Sequence, residues 1–388
     1  MEIKTLGELC DIVSGGTPSR SKAEFWNEGT IPWIKIGNIK GKYVNEADEF
    51  ITQEGLAGSS AKMLAKGTVL YTIFATLGEV GILEIDACTN QAIAGLTIKD
   101  TNQLSTDYLY YYLRSKKAYV NNVGRGVAQN NINMSILRSF ELPLPELSKQ
   151  IEIVEIIDKV SKIIEARQQE LECLDDLIKA RFVEFFGNPV LNDKGWEQKS
   201  LGEITSKIGS GATPKGGKEA YQEDGITLIR SMNVHNGQFE YKDLAHISDE
   251  QAVKLDNVTI EKNDVLLNIT GASVARSCVV PSEILPARVN QHVCIIRCKD
   301  CIIPEFLNKL LIDDNYQDLL WSIAGSGATR EAITKQQVEN LQIILPPLEL
   351  QNQFMEFCEQ VDKSKVAVQK SLDETQQLFD SLMQKYFG

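Results

Sequence analysis

Histidine is scarce. The 388 residues hold three, at positions 235, 246 and 292, so the first half has none. A duplicated active site built on imidazole is thereby excluded. Phosphate-loop chemistry fails as well. In "GSGATPKGGKE" (209–219), stepping back from Gly217-Lys218 reaches Ala212 rather than glycine, and Glu219 follows the lysine. Neither G-x-S-x-G nor H-E-x-x-H occurs. "FFGNP" (185–189) continues Val190-Leu191, so the aromatic-ended motif of an amino-methyltransferase is missing. The 53 carboxylates single out no catalytic pair.

Other absences bound the setting. No apolar run approaches the roughly 18 residues of a membrane helix. The opening "MEIKTLGELCDIVSGG" lacks a basic start followed by an apolar stretch, so a cytoplasmic protein without a secretory signal is expected. Eight cysteines are scattered, which favours reduced thiols over a disulfide framework. In "HVCIIRCKDC" (292–301), Cys294, Cys298, Cys301 and His292 are too few and too strand-like for a convincing zinc site, and no metal is expected. There is no basic excess: the net charge is −13, although residues 1–145 are nearly neutral. Any nucleic-acid surface must therefore be local.

What is present is a repeat. Leu6-Gly7-Glu8 recurs at Leu201-Gly202-Glu203, and Thr17-Pro18 at Thr213-Pro214. "IPWIKIGNI" (31–39) matches "ITLIRSMNV" (226–234), aligning Lys35 with Arg230 and Asn38 with Asn233. Asn90-Gln91 recurs at Asn290-Gln291, "GRGVAQNNIN" (124–133) at "GSGATREAIT" (325–334), and Gln150 at Gln351. This is one duplicated unit of roughly 195 residues, not an array of short repeats. The first part of each unit has short strand-like runs punctuated by glycine, asparagine and proline, which predicts a β-rich domain with some helix. In "YYYLRSKKAYV" (110–120), helix packing is the expected role of the aromatics, because the counterpart "LNKLLIDDNY" (307–316) is acidic.

The second part of each unit lacks proline and glycine, from 146 to 186 and from 348 to 387. Each stretch predicts one helix of about 60 Å. Both carry a 4-3 apolar frame in matching register. Its seam is assigned to Ile157, Val160, Ile164, Leu171, Leu174 and Ile178 in the first, and to Val361, Val368, Leu372, Phe379 and Leu382 in the second. The matched frame favours the two helices pairing with each other, antiparallel, over each lying on its own domain.

The duplicated positions carry donor-rich side chains at loop positions. Thr17, Arg20, Lys22, Lys35, Asn38, Arg125, Gln129 and Asn130 in the first unit, and Thr213, Lys215, Lys218, Arg230, Asn233 and Arg330 in the second, are candidate DNA contacts. Such groups read base edges or grip phosphates. A solvated loop is the plain alternative for each.

Two β-rich domains, each followed by a long helix, with "LGE…SGGTP", "IPWIKIGNI", "G-x-G…IN" and "LPLPELSKQIEIV" in that order, resemble the specificity subunit of Type I restriction–modification systems across the whole chain. The resemblance implies an α+β fold. Two globular target-recognition domains, 1–145 and 189–346, would each be followed by a spacer helix, 146–188 and 347–388, the helices forming an antiparallel coiled coil with pseudo-twofold symmetry. It implies a non-catalytic subunit that reads a bipartite, asymmetric double-stranded DNA target. Two adenine-methyltransferase subunits would dock on the helices and restriction subunits would join them. S-adenosylmethionine, ATP and Mg would serve those partners, with no cofactor in this chain. A coiled-coil adaptor whose domains bind proteins is the competing class.

Overall fold

The structure is a computed structural model, and it describes residues 2–124, 131–213, 217–325 and 331–388. It consists of two compact units, and each draws on two stretches of chain or on parts of both long helices. The first unit combines residues 1–169 with 369–388; the second is 170–368.

In the first unit, strand Glu2–Thr5 pairs antiparallel with Glu141–Leu144. A five-stranded sheet runs in the order Cys10–Ser14, Ile93–Ile98, Val69–Thr72, Val80–Leu83, Tyr43–Val44. A three-stranded sheet places Ile31–Ile34 between Glu49–Ile51 and Cys88–Thr89. The second unit repeats this plan. Gln198–Ser200 pairs with Gln342–Ile344. Thr205–Ser210, Val293–Cys298, Val265–Asn268 and Ser277–Val279 form a four-stranded sheet. Ile226–Ile229 lies between Ala245–Ile247 and Ala287–Val289.

The repeated "LGE" is a helical turn closed by a capping box. Thr5 and Ser200 each donate side-chain and backbone hydrogens to the glutamate three residues on, Glu8 and Glu203. Leu6 and Leu201 are fully buried beneath the two turns. The tyrosine-rich stretch is helix Thr106–Ser115, with Tyr108 and Tyr110–Tyr112 buried in the core, as packing rather than ligand contact requires. Tyr108 and Tyr112 donate to the Pro143 and Glu141 carbonyls, as Tyr316 does to Gln342 in the second unit.

The proline- and glycine-free stretches are two helices, Leu147–Phe186 and Leu348–Phe387, of 40 residues each. A buried glutamine fixes the start of each. Gln150 donates to the carbonyls of Gln103 and Pro145 at 2.8 and 2.9 Å and accepts from Ser105 N at 2.9 Å. Gln351 does the same with Cys301, Pro346 and Ile303. Within the first unit, Ile153, Ile157 and Val160 share a core with Phe379, Met383 and Phe387. Within the second, Ile178, Phe182 and Phe186 share one with Phe354, Cys358 and Val361. The early half of each helix thus meets the late half of the other, which is antiparallel pairing. Lys365 Nζ adds an interhelical bridge to Asp175 at 2.6 Å.

The 4-3 frame needs one adjustment. Val160, Ile178, Val361, Val368 and Phe379 are buried, and Ile164, Leu171, Leu174, Leu372 and Leu382 half-buried. At the helix ends the buried positions are Phe182, Phe186, Met383 and Phe387, one residue beyond the frame. Each helix ends against a globular domain, and a straight helix drifts about 20° per heptad from a 3.5-residue repeat. Among the described residues no helix is long and apolar enough to cross a membrane.

Candidate nucleic-acid interface

The repeated glycine-threonine turn is a brace. After strand Cys10–Ser14, Gly15 N donates to the Ile93 carbonyl and Gly16 N to Thr89. A Cβ on Gly15 would lie 2.2 Å from Asn90 O, and one on Gly211 would lie 1.7 Å from Val289 O, so the backbone passes too close for any side chain. Just beyond, the Thr17 hydroxyl donates to Gln91 Oε1 and the Thr213 hydroxyl to Gln291 Oε1. Gln91 and Gln291 are themselves exposed. The asparagine before each makes the corner: Asn90 Oδ1 accepts from Ala92 N at 3.1 Å and Asn290 Oδ1 from His292 N at 3.0 Å. These glutamines are absent from the sequence-derived candidates. The recurrence of Asn-Gln was the signal for them.

The strand ends divide the candidates. Asn38 and Asn233 are buried. Asn38 Oδ1 accepts from Lys35 N at 2.9 Å, and Asn233 Oδ1 from Arg230 N at 3.1 Å. Asn233 Nδ2 also donates to the Glu240 and Lys242 carbonyls. Both side chains are buried, with each Oδ1 taken up in closing its turn and the Asn233 Nδ2 bonded as well, so the duplicated asparagine serves as a structural cap.

Lys35 and Arg230 project from the same turns. Lys35 Nζ lies 2.6 Å from Glu49 Oε1. Arg230 donates to the Asp243 carbonyl, and its guanidinium is 5.3 Å from the Tyr221 ring centre. Arg20 reaches Glu49 Oε2 at 2.6 Å and stacks 3.7 Å from the Trp26 ring centre. Trp26 meets Trp33 edge to face at 5.1 Å, and Trp33 Nε1 donates to the Gly16 carbonyl at 2.9 Å. Arg20, Lys35, Thr17 and Gln91 are thus joined through one indole-lined corner. The hydrogen bond from Lys35 is the largest influence on the Glu49 carboxyl; burial opposes it, and Arg20 adds to it, so that the group is held below the usual carboxylate range. Lys22 is exposed, its Nζ 4.6 Å from the Phe25 ring centre.

Arg125, Gln129, Asn130, Lys215 and Arg330 lie outside the described residues. Lys218 falls in the short turn Gly217–Ala220, and its side chain also lies outside them.

The second unit places His292 beside its glutamine. His292 Nε2 is 3.0 Å from Gln291 Nε2, and its Nδ1 meets the Thr270 hydroxyl. Burial pushes the Cys294 and Cys298 thiols up to about 12, so they stay protonated and serve as small apolar groups. Among the described residues no cluster of His, Cys, Asp or Glu is placed to hold a metal. Among the described residues the corners offer cations, amide donors and carboxylates, groups suited to recognising acceptors and anions.

Comparison with known proteins agrees. The family model for the Type I restriction modification DNA specificity domain matches twice, over residues 1–173 and 193–376. The chain belongs to that family. It is a specificity subunit of the Type I restriction–modification class, a DNA-recognition component without catalytic activity of its own. The Type I restriction enzyme MjaIX specificity subunit of Methanocaldococcus jannaschii is 25% identical, over 99% of this chain and 92% of its own length. The EcoR124I/EcoR124II specificity subunit of Escherichia coli is 29% identical over 46% of this chain and 48% of its own length. A solved structure concerned with assembly and conformational transition of a type I system matches with a TM-score of 0.66, 19% identity and coverage of 100% and 97%. The crystal structure of an M. genitalium S subunit gives a TM-score of 0.53 at 15% identity, covering 100% of this chain and 96% of that one. These two show the fold.

Proposed function

We propose that this chain reads a bipartite, asymmetric double-stranded DNA target and directs adenine methylation and restriction by partner subunits. The observation that carries the reading is the double family match, one copy in each half of a single chain. The two copies share a scaffold yet differ at matched positions: Lys35 against Arg230, Trp26 against Tyr221 and, in the core, Trp33 against Leu228. Equal scaffolds with unequal donors fit unequal half-sites. Residues 1–145 and 189–346 are the two recognition domains. The helices in 146–188 and 347–388 dock two adenine-methyltransferase subunits, with restriction subunits added to that core. S-adenosylmethionine, ATP and Mg act in those partners, and the complex works in the cytoplasm.

Base readout falls to the donors at the two corners: exposed Arg20, Lys22 and Gln91 with half-buried Lys35 in the first domain, and half-buried Arg230 with exposed Gln291 in the second. Arg125, Gln129, Asn130, Lys215, Lys218 and Arg330 are proposed as further DNA contacts on their sequence positions alone. Thr17 and Thr213 aim the glutamines. The test is methylome sequencing of cells expressing this chain with its methyltransferase partner. Two short half-sites at a fixed gap are expected, one altered by R20A or K35A and the other by R230A. A single continuous motif, or a protein-binding adaptor without DNA selectivity, would overturn the proposal.

A further inference from the structure

The first unit carries a carboxylate at a position where the second has none. Glu49 opens strand Glu49–Ile51 and stands opposite Trp33 in the antiparallel register. The matching position in the second unit, opposite Leu228, is Ala245. Glu49 shares its two oxygens between two cations, Lys35 at 2.6 Å and Arg20 at 2.6 Å, while Asp48 stands off at 4.0 Å from Lys35. Arg20 is fixed from the other side by the face of Trp26. In the second unit Arg230 bonds a backbone carbonyl instead, so no carboxylate at this position offsets its charge.

The consequence is electrostatic. Non-specific binding is driven by cations that meet phosphates and release counterions. A carboxylate already seated on Arg20 and Lys35 takes the place of those counterions and is not released into solution. A phosphate arriving at this corner must displace Glu49 or lie beside it. A base-edge acceptor is neutral and meets the same donors without that repulsion. Two cations held in one geometry also lose less conformational freedom when they bind.

We propose that Glu49 is a positioning residue of the first recognition domain: as an internal counterion for Arg20 and Lys35, it weakens binding to non-cognate DNA and sharpens discrimination in the half-site read by that domain alone. The inference rests on the reading that Arg20 and Lys35 face DNA.

The test uses the full chain assembled with its methyltransferase partner. For E49Q, affinity for a non-cognate duplex at low salt should rise several-fold. The slope of log K against log salt should steepen by about 0.9 for each cation released to a phosphate. Methylation should spread to sites with one mismatch in a single half-site, the one altered by R20A and K35A, with the other half unchanged. E49A, a second neutral variant, should behave alike, and E49D, which keeps the charge, should retain the wild-type motif and slope. If R20A and K35A change the motif but E49Q and E49A change neither motif nor slope, the role of Glu49 is overturned and the DNA-facing reading stands. If R20A and K35A leave the motif intact, that reading fails and the inference with it. Relaxation by E49D equal to that of E49Q, or relaxation in both half-sites, would assign the effect to packing and overturn the proposal.

Discussion

Gln150 and Gln351 show what one residue can fix. Each is fully buried, and each satisfies a backbone N–H and two carbonyls where a globular domain hands over to a long helix. Q150A is expected to destabilise the first unit by about 1–3 kcal/mol, the usual result of leaving buried partners unmet, and Q351A the second by a similar amount. Urea unfolding followed by hydrogen exchange in each unit measures this. The capping boxes set a pH dependence. Glu8 and Glu203 are held below the ordinary value of 4.5 by the hydroxyls and then the N–H groups of Thr5 and Ser200. Because the native value is the lower one, their stabilisation is fully present above the unfolded pKa and is lost as pH falls through the native one. T5V and S200A should therefore lower stability at neutral pH and flatten its acid limb, in denaturant titrations between about pH 3 and 6. At this scale the sequence was a good guide to position but not to role. The spacing of Leu-Gly-Glu and Thr-Pro located the turns. That Asn38 and Asn233 point inward, and that Thr17 grips Gln91, depends on strands distant in sequence.

The elements divide the same way. Long helices were legible because 40 residues without proline or glycine leave few alternatives to helix, and the apolar frame repeated in both copies. The frame misjudged the ends, where Phe186 packs among Phe182, Phe306 and Phe354, and Phe387 against Tyr108 and Tyr112. Phe306, Tyr108 and Tyr112 belong to the globular domains and Phe354 to the other long helix, so the periodicity along one helix could not name them. F186A and F387A should each cost about 3–5 kcal/mol in the unit concerned, against less than half of that for the half-buried Phe185 or Tyr386. Thermal unfolding of the four variants gives the ranking. The short strands were recognisable as strands, but their pairings were not. Ile31–Ile34 lies between Glu49–Ile51 and Cys88–Thr89, the latter more than fifty residues away, and this pairing is what brings Glu49 to Lys35 and Arg20.

For the whole molecule, the notable fact is that the first unit is not one stretch of chain: residues 369–388 complete it. Removing them strips Phe379, Met383 and Phe387 from its core. Such a truncation should lose the first unit's cooperative unfolding while the second, 170–368, keeps its own, as hydrogen exchange would show. On the proposed function, inserting about four residues near Ala166, one helical turn, should lengthen the gap between half-sites and leave both half-sites unchanged. Methylated-adenine sequencing reads the outcome, and altered half-sites at an unchanged gap would count against it. The sequence by itself determined the duplication, the two long helices, the turns and the want of catalytic chemistry, because each of these is local or a matter of composition. Only the tertiary structure decided which donors stay free. It buried two asparagines, exposed two glutamines, and set a carboxylate between two cations in the first domain. Those outcomes depend on which strands lie side by side, and strand register is set by packing across the sheet rather than by residues near in sequence.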